Sequence, residues 1–186
     1  MRPDEVLLTL EERGAVLSGH FLLSSGSHSD RYVEKARIFE DPILVRRVGE
    51  EIASWYRDVR TVVSPAVGAI PLGFAVAMAA GARFVYAERE EDRMALRRGF
   101  RLEPGERVLV VEDVVTTGGS AGEVLQLVRS SGAEPLGVAA LVDRSRTQLP
   151  FPLRALARVD AVVHEPKDCP LCKDGIPVTA PGSRHL

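Results

Sequence analysis

Two adjacent acids, Glu112 and Asp113, are followed after Val114 and Val115 by Thr116-Thr117-Gly118-Gly119-Ser120. Glycines at this spacing permit a tight turn whose backbone amides converge on an anion, and the hydroxyls of Thr116, Thr117 and Ser120 add donors. A helix starting at the turn adds the positive end of its dipole, so the run is suited to a phosphate. Carboxylates beside a phosphate repel it unless they face sugar hydroxyls or a divalent cation. The combination therefore points to a sugar phosphate with Mg²⁺, which Glu112 and Asp113 reach through the ligand's oxygens and water. No GxxxxGK[ST] is present and GGSAG is not GxGxxG, so the P-loop and dinucleotide readings are set aside. The competing reading is an ordinary strand-to-helix turn; the apolar run and the acidic pair ahead of it weigh against that.

The elements that must position these residues are legible in order. Asp4 is expected to cap a short helix carrying Val6, Leu7 and Leu10 and ending at Gly14. GHFLLSSGSHSDRY reads as a hairpin, and Asp41-Pro42 opens a helix with Leu44, Val45, Val48, Ile52 and Trp55 on one side. From residue 61, short apolar runs (TVVS, FVYA, VLVVED, GVAALVD) alternate with helices near 69–80 and 120–131. Unbroken apolar strands belong to a parallel sheet covered on both faces, so the class is α/β, with ligands beyond the strands' C-terminal ends. Residues 88–106 are too charged for a core element and too long for a routine connection, which marks a mobile or functional loop.

A chain of 186 residues with 45% hydrophobic and 27% charged residues and a net charge of −2 fits one soluble domain. No basic field advertises nucleic acid. The run from Ala66 to Ala82, interrupted by Gly68, Pro71 and Gly73, is too short to span a membrane, and the N-terminus lacks a signal-peptide core, so a cytoplasmic location is expected. Few lysines and amides beside many arginines is the composition of a heat-adapted or GC-rich source. Cys169 and Cys172 make no disulfide framework. They have half the spacing of a zinc site that His164 and His185 could complete; a plain turn or free thiols is the favoured reading.

VLVVEDVVTTGGS resembles the PRPP signature of type I phosphoribosyltransferases. GHFLLSSGSHSDRY, SPAVGAIPLGFA, LRRGF, LVDRS and the tail from CPLC to PGSR extend the likeness, from about residue 14 to 184, to the orotate phosphoribosyltransferases. The resemblance implies that family's fold: a central parallel sheet flanked by helices, with a small hood from residues 1–40 and 164–186 and a mobile catalytic loop at about 88–104. It further implies a homodimer whose loop reaches the neighbouring site, and PRPP and orotate as substrates. By resemblance, Glu112 and Asp113 hold the ribose hydroxyls and the run from Val114 and Val115 through Thr116, Thr117, Gly118, Gly119 and Ser120 holds the 5-phosphate. Ala66, Val67 and Gly68 meet the pyrophosphate, and Ser25, Gly26, Tyr32, Thr116 and Arg144 meet orotate.

On physical grounds orotate needs a guanidinium or backbone donors for its carboxylate and an apolar or aromatic wall for its ring, and Arg144 ends a strand at the ligand-binding edge. The alternatives are a surface salt bridge of Arg144 with Asp143 and plain packing of Tyr32. Three departures from the family pattern stand out. Leu23-Ser24-Ser25-Gly26 replaces Leu-Lys-Ser-Gly, Val67-Gly68 replaces Tyr-Lys, and the loop is Arg-rich rather than Lys- and His-rich. Pyrophosphate is then expected to be held by backbone at Val67-Gly68. Arg89 and Arg93 are expected to act with Asp113 in catalysis as closing cations, against the alternative of a solvated charged loop. The rival functions are a purine or xanthine phosphoribosyltransferase and a non-enzymatic PRPP-sensing regulator.

Overall fold

The computed structural model describes residues 3–23 and 25–181. Ser24, His185 and the Gly-Ser-Arg of the tail, residues 182–184, lie outside the described residues. α1 (Pro3–Glu12) begins one residue ahead of Asp4, the cap expected from sequence, because proline is well suited to a first helical turn. Gly14, at φ 66°, ends the helix, and the amide of Ala15 returns to the carbonyl of Leu10. Val6 and Leu10 are buried in the core that also holds Leu156 and Ala157, so α1 is packed into the body of the molecule.

β1 (Val16–Leu22) and β2 (His28–Val33) form the expected hairpin, and β9 (Val163–His164) joins β2 to complete a small antiparallel sheet. The tail lies along β1, where the amide of Leu22 donates to Thr179 O and the amide of Thr179 to His20 O. After the single turn of α2 (Ala36–Phe39), α3 (Pro42–Ala53) starts where Asp41 accepts from the amides of Ile43 and Leu44.

The main sheet has the order β5-β4-β3-β6-β7-β8. Its strands are β3 (Thr61–Pro65), β4 (Arg83–Glu90), β5 (Arg93–Leu96), β6 (Arg107–Val115), β7 (Glu134–Asp143) and β8 (Leu153–Arg158). All neighbours are parallel except β4 and β5. α4 (Ile70–Ala80) and α5 (Gly119–Ser130) are the crossovers. The central strands are buried on both faces: every residue of β3 is buried, as is the run Val108–Val111 of β6.

The segment 88–106 is only partly a loop. Glu88 to Leu96 is a β-hairpin whose charges pair across it: Arg98 with Glu88 at 2.9 Å and Arg97 with Glu90 at 3.6 Å, while Arg93 stands opposite Glu90 in register. Charge here marks the sheet's exposed edge. Among the described residues no helix is long and apolar enough to cross a membrane. A 3₁₀ turn (Pro166–Asp168) and α6 (Pro170–Lys173) lie in the tail ahead of its Thr179 contact with β1.

Candidate active site

β6 carries the acidic pair to the C-terminal edge of the sheet, and the chain then breaks open. Thr116, Thr117 and Gly119 are exposed, and the turn forms a shallow cavity of about 60 Å³ lined by Glu112 and residues 114–121. Gly118 sits at φ 77°, where a side chain would be strained, and an added Cβ would come within 2.9 Å of Leu149 and Phe151. From there α5 leads off, Thr117 Oγ1 accepting from the amide of Gly119 and the amide of Gly122 donating to Gly118 O. An open nest of amides at a helix start can take an anion; a buried structural turn could not.

Successive strand side chains point to opposite faces, and the two acids divide accordingly. Glu112 lines the cradle. Asp113 instead pairs with Lys35 and packs against Gly68, where an added Cβ would collide with Lys35 Nζ and Asp113 Oδ2. The turn at Ala66, Val67 and Gly68, which contains a cis peptide between Ala66 and Val67, thus lies beside the acidic pair. Val67 is 79% exposed. Lys35 was missed in the sequence. It is one of three lysines and stands apart from the two in the tail, the one signal that could have singled it out.

Burial, with the Asp113 carboxylate as the second cause, pushes the Glu112 carboxyl up from 4.5 to about 8. A carboxyl raised in the folded state stabilises it fully below the unfolded value and loses that contribution as pH rises through the folded one. Glu112→Gln is therefore expected to gain on the wild type between about pH 5 and about pH 8.5, by at most about 1.4 kcal/mol per pH unit. Urea unfolding at several pH values checks this; parallel profiles would contradict it.

Arg144 follows β7 directly, its amide donating to Val115 O at 2.8 Å, which ties it to the end of β6. Its side chain turns to the hairpin: Nη2 donates to Arg31 O at 3.3 Å, while Nε is buried without a partner. The alternative of an Arg144–Asp143 bridge is not what forms, because Asp143 pairs with Arg158 at 2.9 Å. Tyr32 is half-buried, 5.7 Å from the ring of Phe21, and burial raises its phenol. Ser25 and Gly26 form the hairpin turn, with Gly26 at φ 86° and Ser25 Oγ accepting from the amide of Ser27 at 3.4 Å. The Arg144 side chain and Tyr32 thus meet at the hairpin, and the backbone of Arg144 ties this end of β7 to Val115 ahead of the cradle.

Arg89 and Arg93 are not brought among the residues lining the cradle. Arg89 pairs with Glu123 on α5 at 2.9 Å and donates to Asp92 O; Arg93 begins β5 and is exposed. A groove of about 710 Å³ along residues 145–153 contains neither Glu112 nor Asp113. Its size does not make it the better site, since it lacks the convergent amides and the acidic pair.

Residues 36–152 match the phosphoribosyl transferase domain. The chain is 51% identical over 181 residues to an orotate phosphoribosyltransferase of Thermotoga maritima, covering 95% of this chain and 97% of the relative. It is 47% identical to one of Caldanaerobacter subterraneus, over all of both chains. The crystal structure of orotate phosphoribosyltransferase from Aeropyrum pernix superposes with a TM-score of 0.69 at 26% identity, over 83% of this chain and 93% of that one.

Proposed function

The chain belongs to the orotate phosphoribosyltransferase family, built on the phosphoribosyl transferase domain, and on that premise we propose that it moves ribose 5-phosphate from PRPP to orotate. The products are orotidine 5′-monophosphate and pyrophosphate, a step of UMP biosynthesis. What carries the reading is Arg144, a half-buried guanidinium with a buried, unpartnered Nε on a residue whose amide is tied to Val115 O at the end of β6, which suits a planar ring bearing a carboxylate. A purine has no carboxylate and would leave that donor unmet.

In this reading the amides and hydroxyls from Thr116 to Ser120 seat the 5-phosphate, and Glu112 and Asp113 take the ribose hydroxyls. Backbone at Ala66, Val67 and Gly68 faces pyrophosphate. Arg144 and Tyr32 hold orotate from the hood side, with Ser25, Gly26 and Thr116 at its edges. Displacing pyrophosphate builds positive charge on the ribose ring, so the work of the residues is mainly electrostatic. The nucleophilic nitrogen of orotate is acidic enough to need no dedicated strong base.

The oxygen-only donors here suit a hard cation: Asp113 is already paired with Lys35 and Glu112 is raised, so the two acids would hold Mg²⁺ through ligand oxygens and water. Mg²⁺, when bound, neutralises charge on the leaving pyrophosphate. Arg89 and Arg93 close over it from a second copy of the chain after the Arg89–Glu123 pair opens. An apolar groove of about 510 Å³ between α3 and α4, with Ile43, Phe74 and Met78 more than half exposed beside it, supports a homodimer.

Incubating the protein with PRPP and Mg²⁺ and offering orotate, adenine, guanine or xanthine tests the assignment. Consumption of orotate is expected to exceed that of each purine by at least about a hundredfold in kcat/KM. Preference for any purine, or no turnover of all four, would overturn it.

A further inference from the structure

Away from the cradle, His20, His28, Cys169 and Cys172 each turn one ligand atom to a common point, and these four atoms all lie within 4.8 Å of one another. His20 Nε2 is 2.8 Å from His28 Nδ1, 3.5 Å from Cys169 Sγ and 3.7 Å from Cys172 Sγ; Cys172 Sγ is 3.2 Å from His28 Nδ1. Tetrahedral zinc with its usual bond lengths holds nitrogen and sulfur ligands about 3.3–3.8 Å apart, so small shifts suffice. We propose that these four residues form a structural zinc site that fastens the C-terminal tail to the hairpin of the hood.

Three features favour a metal over a chance cluster. His20 Nδ1 is 2.7 Å from the carbonyl of Ile176, which can only accept, so Nδ1 carries the proton and Nε2 presents its lone pair inward. His20, His28 and Cys169 are buried, and two thiolates with two neutral imidazoles cancel the charge of Zn²⁺, which leaves no net charge under cover. The backbone also aims the ligands: the register of β1 slips by one residue between Ser18 and Phe21, and this bulge contains His20. No fourth protein position is left open for substrate, as in closed structural sites. Of the two histidines that the sequence offered to complete such a site, His164 pairs with His28 in the β2–β9 register and is outside the cluster, and His185 lies outside the described residues.

Binding releases the two thiol protons to solvent and changes no oxidation state. Protein purified under reducing conditions without a metal-affinity step is expected to contain about one zinc per chain by elemental analysis. Cys172→Ser and His28→Ala should lower that to less than about a tenth. Chelation should lower Tm, and cobalt added to the reduced apoprotein should give the visible and thiolate charge-transfer bands of a tetrahedral site. If the variants fail to fold, the wild-type zinc content and cobalt spectrum decide. Absence of zinc together with no cobalt bands, or a Cys169–Cys172 disulfide in the native protein, would overturn the proposal. Orotate turnover has no part in this test, so it can fail while the assigned activity stands.

Discussion

Asp113→Asn is expected to lower kcat/KM by about a thousandfold while leaving the fold intact. The substitution keeps the shape and removes one charge. It weakens the charge-assisted bonds open to the ribose hydroxyls and strips Lys35 of its partner. An uncompensated ammonium then stands beside a ribose that is becoming positive. At an effective dielectric constant of about 20 two charges about 4 Å apart interact by about 4 kcal/mol, which accounts for a loss of that size. Lys35 is itself partly exposed, so the stability lost with the pair should not exceed about 1 kcal/mol. Adding Lys35→Met to Asp113→Asn should recover part of the activity. If Asp113→Asn alone keeps rates within about tenfold of wild type, the carboxylate is not part of the machinery.

Arg144→Ala should raise KM for orotate by about a hundredfold and change KM for PRPP by less than about threefold. Its guanidinium is already desolvated and anchored to Arg31 O, so it is held ready for a carboxylate without a further ordering cost. Arg144→Lys should rescue little, since an ammonium cannot keep the Arg31 contact and present a paired donor face together. Steady-state kinetics with each substrate varied in turn separates the two outcomes. Equal losses for both substrates would mean that Arg144 supports the end of the sheet and does not read the base.

The central strands and the cradle were legible because their signals are local. VLVVED is an unbroken apolar run ending in acids, and TTGGS needs nothing beyond its own turn to form a nest. β8 was hidden because Leu153–Arg158 is an edge strand that carries arginines for contacts made elsewhere. Arg154 lies 4.2 Å over the ring of Trp55, and Arg158 reaches Asp143. The sequence shows the first half of β4 as a strand but reads the hairpin from Glu88 to Leu96 as a loop, because its charges, paired across the turn, break the apolar alternation expected of a strand. Lys35 and the His20–His28 pair escaped for another reason. Each acts with residues far along the chain: the folded tail brings Cys169 to His20, and only the fold brings Lys35 to Asp113 on β6.

The most direct measurement is calorimetric titration of PRPP into the protein with Mg²⁺ present, repeated with Asp113→Asn. Saturable binding at about one site per chain is predicted for the wild type, weakened at least about tenfold in the variant. No heat from the wild type, or equal affinity in both, would contradict a pentose phosphate seated between the cradle and the acidic pair.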